Sequence, residues 1–186
     1  MSEPEFREFA KISRLSRQII ISEKIDGTNG IVYVPDNPDE PLVSGSRNRW
    51  IPPGGGHFGF EQWVIVHTAE LRTLGPGYHY GEWWGSGIGP RGYDLPKGEK
   101  RWSLFNVSRW ETDRPDCCGV VPVIARGLFT TELVEQALDH LRTHGSLAAP
   151  GFMRPEGIVI YHAQGNVLFK KTLENDDVPK GSKETL

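Results

Sequence analysis

The alternation of apolar and polar positions divides this chain into many short strands and a few helices. Ile19-Ile20-Ile21 reads as a strand over residues 18–24, and Ile31-Val32-Tyr33-Val34 as the next over 30–34, with Asp26-Gly27 turning between them. Pro35 to Asp39 is a loop, and a returning strand is predicted over 42–47. Pro52-Pro53-Gly54-Gly55-Gly56 is a flexible break and a candidate mobile loop. Phe60, Trp63, Val64, His67 and Leu71 fall at helical spacing, which predicts an amphipathic helix over 60–73. Strands are predicted over 77–83, 102–107 and 120–125, with a glycine-rich loop over 85–92. Thr130 caps a predicted helix over 131–143 that turns Leu133, Val134, Ala137, Leu138 and Leu141 inward. Ile158-Val159-Ile160-Tyr161 and Val167-Leu168-Phe169-Lys170 form a last strand pair around Gln164-Gly165-Asn166. A short helix over 3–12 would pack Phe6, Phe9 and Ile12, and Trp50, Trp63, Trp83 and Trp84 read as core or wall.

Many strands with two or three helices, in no regular βαβ alternation, indicate an α+β fold with mostly antiparallel sheet. At 186 residues, with 37% hydrophobic content, Gly 22 and Pro 14, the chain fits one strand- and turn-rich domain over residues 1–186. The stretch 174–186 reads as a polar tail, with no appended C-terminal domain expected. No apolar run is long enough to span a bilayer, so no membrane partner is expected. The first residues lack a basic region followed by an apolar one, so a cytoplasmic location is expected.

Adjacent Cys117 and Cys118 are too few for a disulfide framework, and they and the six histidines read as structural or incidental. A net charge of −3 excludes a globally basic nucleic-acid coat. Local clusters can still meet a polyanion: Arg47 with Arg49, Lys97 with Lys100 and Arg101, and Lys170 with Lys171.

The hexapeptide Lys24-Ile25-Asp26-Gly27-Thr28-Asn29 carries the candidate chemistry. A lysine at the end of an apolar strand is costly unless it has work to do, and desolvation of its charged form is one route to a nucleophilic amine. Arg47, Glu82, Glu156 and Lys170-Lys171 add an arginine, two carboxylates and more lysines at strand ends or inside strands. Such a set suits a nucleoside triphosphate with Mg²⁺. Arginine forks onto phosphate, carboxylates hold a hard cation or a ribose hydroxyl, and cations offset charge on a leaving pyrophosphate.

The order of these segments resembles the covalent nucleotidyltransferases, specifically the RNA ligase family in its ATP-dependent, phage nick-sealing-like branch. Five motifs of that family have counterparts at residues 24–29, 80–85, 102–107, 156–160 and 167–171. Asn29, two residues after the motif glycine, and Ser46-Arg47-Asn48-Arg49 point to the RNA ligase branch. The resemblance implies an adenylyltransferase fold of two packed antiparallel sheets with flanking helices, unrelated to ATP-grasp, with ATP in the groove between the sheets. It implies that Lys24 attacks the α-phosphate of ATP and carries AMP, and that Glu156 orients Mg²⁺ (or Mn²⁺) or the lysine. It implies that Glu23 lies beside the adenine edge, Arg47 contacts ribose or phosphate, and Glu82 binds a ribose hydroxyl. Phe105 would stack on the base, Lys170 would meet the phosphates, and Asn29 would position a 5′-phosphate end. Ile25 and Lys171 complete the implied cofactor-binding set. AMP would pass to a 5′-phosphate, and a 3′-hydroxyl would displace it. The implied partner is nucleic acid with those ends, RNA favoured, with an accessory protein as a further source of substrate grip.

Two positions depart from the family pattern. The terminal strand usually reads Lys-x-Lys, with both lysines on one face, but here it reads Lys170-Lys171-Thr172, and Lys171 could compensate only through a bulge. Asn106 stands where the family often has Asp. The alternatives are a nucleotide- or RNA-binding module of the same fold that lacks ligation, and a nucleotidyltransferase acting on another acceptor.

Overall fold

The computed structural model describes residues 4–176, which form nine strands and four α-helices. In chain order these are β1 (Gln18–Lys24), β2 (Thr28–Val34), β3 (Val43–Gly45), α1 (Phe60–Val66), α2 (Thr68–Leu71), β4 (Gly77–Gly85) and β5 (Lys100–Leu104). There follow α3 (Val107–Trp110), β6 (Cys118–Val120), β7 (Val123–Leu128), α4 (Thr131–His144), β8 (Gly157–His162) and β9 (Val167–Thr172). They form a four-stranded sheet in the order β7-β1-β8-β9 and a five-stranded sheet in the order β3-β2-β4-β5-β6. Each neighbouring pair is antiparallel except β5 with β6.

Helix α4 lays Val134, Ala137, Leu138 and Leu141 against Ile19, Ile21, Ile158 and Ile160 of the four-stranded sheet. Each of these valine, leucine and isoleucine side chains contributes about 1.5–3 kcal/mol when fully buried. Thr130 caps the helix as its sequence predicts, its hydroxyl accepting from the Leu133 amide at 3.1 Å. Phe60, Val64 and Leu71 of α1 and α2 cover the other sheet through Val32, Trp83, Trp102 and Leu104. A third cluster of Ile25, Trp84, Tyr93, Val107, Val121, Ala149 and Phe152, with Ile20 of β1 and Val123 of β7 packed against it, draws on both sheets and holds them together.

Several expectations are corrected. No helix forms within residues 4–12; Phe6, Phe9 and Ile12 are exposed, and a helix that short needs a surface to pack on. The helix of residues 60–73 breaks at His67, where the Thr68 hydroxyl donates to the Val64 and Ile65 carbonyls and competes with the helical ladder. The strand over 102–107 stops at Leu104, because the Asn106 side chain accepts from the Arg109 amide and caps α3. The strand over 120–125 divides at Pro122, which has no N–H to donate, and the chain passes from one sheet to the other there. Trp50 is not core, being 47% exposed. His140 and His144 stack four residues apart on α4. The polar tail lies outside the described residues beyond Asp176.

Candidate active site

Lys24 ends β1 opposite Gly157, the first residue of β8. The Asp26-Gly27 segment is not a hairpin turn. β1 and β2 lie in different sheets, so these residues carry the chain from one sheet to the other. Gly27 is required by close approach, since a Cβ there would meet the Trp83 carbonyl oxygen at 2.4 Å. Its amide donates to Glu82 Oε1 at 3.1 Å, and Asn29 Nδ2 donates to Glu82 Oε2 at 3.3 Å. The register Asn29↔Glu82 sets that second contact.

Lys24 Nζ lies 2.5 Å from Glu156 Oε2. Glu156 is buried, while Lys24 keeps 20% of its side chain exposed. The amine is therefore ion-paired rather than stranded among apolar groups. Glu82 is raised to about 7, chiefly by burial, while the Lys24 charge and the Gly27 N–H act to lower it. The charges of Glu156 and Asp26 also push it up, so Lys24, Gly27, Glu156 and Asp26 all act on Glu82.

Other predicted residues are placed differently. The Glu23 carboxylate is buried and accepts from Ser146 Oγ at 2.6 Å and from the Leu147 and Ala148 amides at 2.8 and 2.9 Å. It therefore holds the loop after α4 instead of facing a ligand with its side chain. Burial raises its pKa, against these hydrogen bonds, which lower it. Ile25 is a core residue of the cluster between the sheets, which removes its side chain from the cofactor-binding set. Arg47 is exposed in the turn after β3, where Ser46 N donates to the Arg49 carbonyl. Phe105 is 40% exposed just past β5, its amide bonded to the Tyr80 carbonyl.

The β8–β9 register runs without a shift from Gly157↔Thr172 to His162↔Val167. Lys170 pairs with Val159, which pairs with Ser22, so Lys170 and Thr172 share the sheet face of Lys24. Lys171 pairs with Ile158 and lies on the opposite face, toward α4, with its ammonium 3.7 Å from Asp176. No bulge brings it round, so Lys171 is corrected as a cofactor-binding residue.

Arg91 and Tyr93 close on the motif from the end of the glycine-rich loop, where no sequence motif marks them. Arg91 Nη1 donates to Asp26 Oδ2 at 2.7 Å and its Nε to the Arg154 carbonyl at 3.0 Å. Buried Tyr93 accepts from the Asp26 amide at 2.8 Å. The motif aspartate was the available signal, since a carboxylate buried at a strand end needs donors. His57, at the end of the glycine-rich break, places Nε2 3.4 Å from Thr28 Oγ1 and 3.3 Å from the Asn29 carbonyl.

No group of three or more His, Cys, Asp or Glu side chains able to hold a metal forms among the described residues. Mg²⁺ does not need one, because it binds through one or two carboxylates, substrate phosphates and water. Glu156, with Glu82 near enough to sense its charge, fits that mode.

Two packed sheets, with a lysine–glutamate pair where the chain crosses from one to the other, are consistent with a nucleotidyltransferase-like fold. The chain belongs to the RNA ligase family, whose profile matches residues 17–172. Among solved structures it is similar to a lysine-to-alanine variant of Naegleria gruberi RNA ligase with ATP and Mn, at 18% identity and a TM-score of 0.59, covering 83% of this chain and 48% of that one. Naegleria gruberi RNA ligase with pyrophosphate matches at 17% identity and a TM-score of 0.57, covering 84% and 50%. A glutamate-to-alanine variant of the Naegleria gruberi enzyme with ATP and Mn matches at 17% and 0.57, covering 91% and 57%. The chain thus spans about half the length of these solved ligases. No curated protein matches it. No helix among the described residues is long and apolar enough to cross a membrane.

Proposed function

We propose that this chain is the nucleotidyltransferase domain of an ATP-dependent RNA ligase. The observation that carries the reading is the 2.5 Å contact between Lys24 Nζ and Glu156 Oε2 at the junction of the two sheets, in a chain of the RNA ligase family. Lys24 gives a proton to Glu156 Oε2, its nearest acceptor, and attacks the α-phosphorus of ATP. The Nζ–P bond forms, the bond to pyrophosphate breaks, and AMP is held on Lys24. AMP then passes to a 5′-phosphate, and a 3′-hydroxyl displaces it as the strands join. Divalent metal, when bound beside Glu156, supplies positive charge that offsets charge building on the phosphates.

The exposed Phe105 ring is available to stack on a base, and Lys170 shares the Lys24 face where phosphates would lie. Glu82, raised to about 7, can donate or accept at a ribose hydroxyl near neutral pH. Glu23 is left to meet an adenine edge through its main chain. Arg47 stands ready for phosphate, having no ion-pair or hydrogen-bond partner among the described residues. The substrate is nucleic acid with 5′-phosphate and 3′-hydroxyl ends, and an accessory protein is a further source of grip. Consumption of ATP suits a cytoplasmic setting.

One observation favours a second reading. Thr172 takes the place of the second lysine, and Lys171 faces away, as in a binding module that has lost ligation. Intact mass after incubation with ATP and Mg²⁺ tests both. A gain of one AMP in wild type, absent in Lys24→Ala and Lys24→Arg, supports the enzyme. No gain in protein shown to be free of bound AMP supports the module.

A further inference from the structure

Trp50, Tyr78 and Tyr80 are 47%, 55% and 50% exposed, an unusual amount of aromatic surface to leave in water. Their rings form a ladder. Trp50 and Tyr78 lie 6.1 Å apart at 24°, and Tyr78 and Tyr80 lie 6.3 Å apart at 12°. Tyr33 supports Tyr78 from the neighbouring strand at 4.8 Å. Gly45 makes room for the tryptophan, since a Cβ there would come within 2.9 Å of the Trp50 ring.

The ladder continues the site. Asn29↔Glu82, Ile31↔Tyr80 and Tyr33↔Tyr78 are successive pairs of β2 and β4, two residues apart, so all share one sheet face. Each step advances about 7 Å along the strand. The face therefore runs from the Glu82–Asn29 pair beside Lys24 out to exposed tyrosines. Arg47 and Arg49 precede Trp50 in the turn, both exposed, and neither guanidinium has an ion-pair or hydrogen-bond partner among the described residues. Asp36, Asp39 and Glu40 follow β2 beyond the far end, where they would repel a polyanion.

We propose that Trp50, Tyr78 and Tyr80 form a stacking platform for unpaired bases of an RNA end, with Arg47 and Arg49 on its phosphates. The proposal rests on the ligase reading. Every base has a π-face, so such a ladder grips a strand without reading its sequence, and the acidic loop limits it to two or three nucleotides, about the reach of the ladder.

The test is anisotropy of a short 5′-phosphorylated, fluorescently labelled oligoribonucleotide, with lysine adenylylation measured on the same proteins. Tyr78→Thr/Tyr80→Thr keeps strand propensity and removes the rings. The expected result is binding at least tenfold weaker, unchanged adenylylation, and recovery of binding in Tyr78→Phe/Tyr80→Phe. A 4-thiouridine oligonucleotide is expected to crosslink to peptides carrying Trp50, Tyr78 or Tyr80. Unchanged binding with intact adenylylation overturns the platform and leaves the ligase standing. Absent adenylylation in wild type with ring-dependent binding keeps the platform and sinks the ligase. No RNA binding by wild type, or self-association that the threonine pair abolishes while RNA binding is unchanged, also overturns the platform.

Discussion

Lys24 and Thr172 flank Gly157 in one row of the four-stranded sheet, with their side chains on the same face. A lysine at position 172 would face the Lys24 row, whereas Lys171 cannot. The period-two pleat decides this, because one residue along a strand reverses the face. The Thr172 hydroxyl instead donates to the Glu174 carbonyl at 2.8 Å.

Thr172→Lys is expected to speed transfer of AMP to Lys24 by about three- to tenfold, by adding a cation near the leaving pyrophosphate. Lys171→Ala is expected to change it less than about twofold, as an exposed charge on the far face. Single-turnover rates with radiolabelled ATP measure both. A large loss in Lys171→Ala with no gain in Thr172→Lys would reverse the assignment of faces.

Glu82 supplies a pH test. Its pKa is raised from 4.5 to about 7 in the fold, chiefly by burial. The fold thus holds this proton more tightly than the unfolded chain does. The stability this gives is fully present below about pH 4.5 and is lost as pH rises through about 7. Glu82→Gln stays neutral throughout. Relative to wild type it is expected to gain about 1–3 kcal/mol across that window, discounted for partial solvent access. Urea melts at several pH values measure the difference, and one that stays flat with pH would count against it.

Ser146 holds the buried Glu23 carboxylate at 2.6 Å. Ser146→Ala removes that donor and is expected to cost about 1–3 kcal/mol of stability. Thermal melting checks the cost. An unchanged midpoint would mean that the Leu147 and Ala148 amides suffice.

Arg91 tests the clamp on the motif. Arg91→Ala breaks a largely buried ion pair with Asp26 and is expected to destabilise by about 2–4 kcal/mol and to slow adenylylation. Arg126→Ala, which breaks the exposed pair with Glu111, is expected to cost under about 1 kcal/mol. Equal losses in the two variants would remove any special role for the Arg91–Asp26 contact.

Local pattern carried much of the fold. The isoleucine run marked β1 from Gln18 to Lys24, and Thr130 with its four-residue apolar spacing marked α4. Those features were legible because propensity, capping and burial agree over adjacent residues. Elements that depend on a distant partner are not legible locally, as over residues 4–12, where no surface receives the apolar side chains.

The sequence by itself determined the order of the candidate groups: Lys24, Glu82 and Glu156 stand at the ends or inside of strands, in an order that resembles the RNA ligase family. Only the tertiary structure decided which groups meet. Lys24 reaches Glu156 across 132 residues because β1 pairs with β8, and Glu82 reaches Gly27 because the chain changes sheet there. It also turned Glu23 and Ile25 inward, set Lys171 on the far face and left Trp50 in solvent. Residue type states what a side chain can do, but register and sheet packing choose its face and partner, and both depend on contacts distant in the chain.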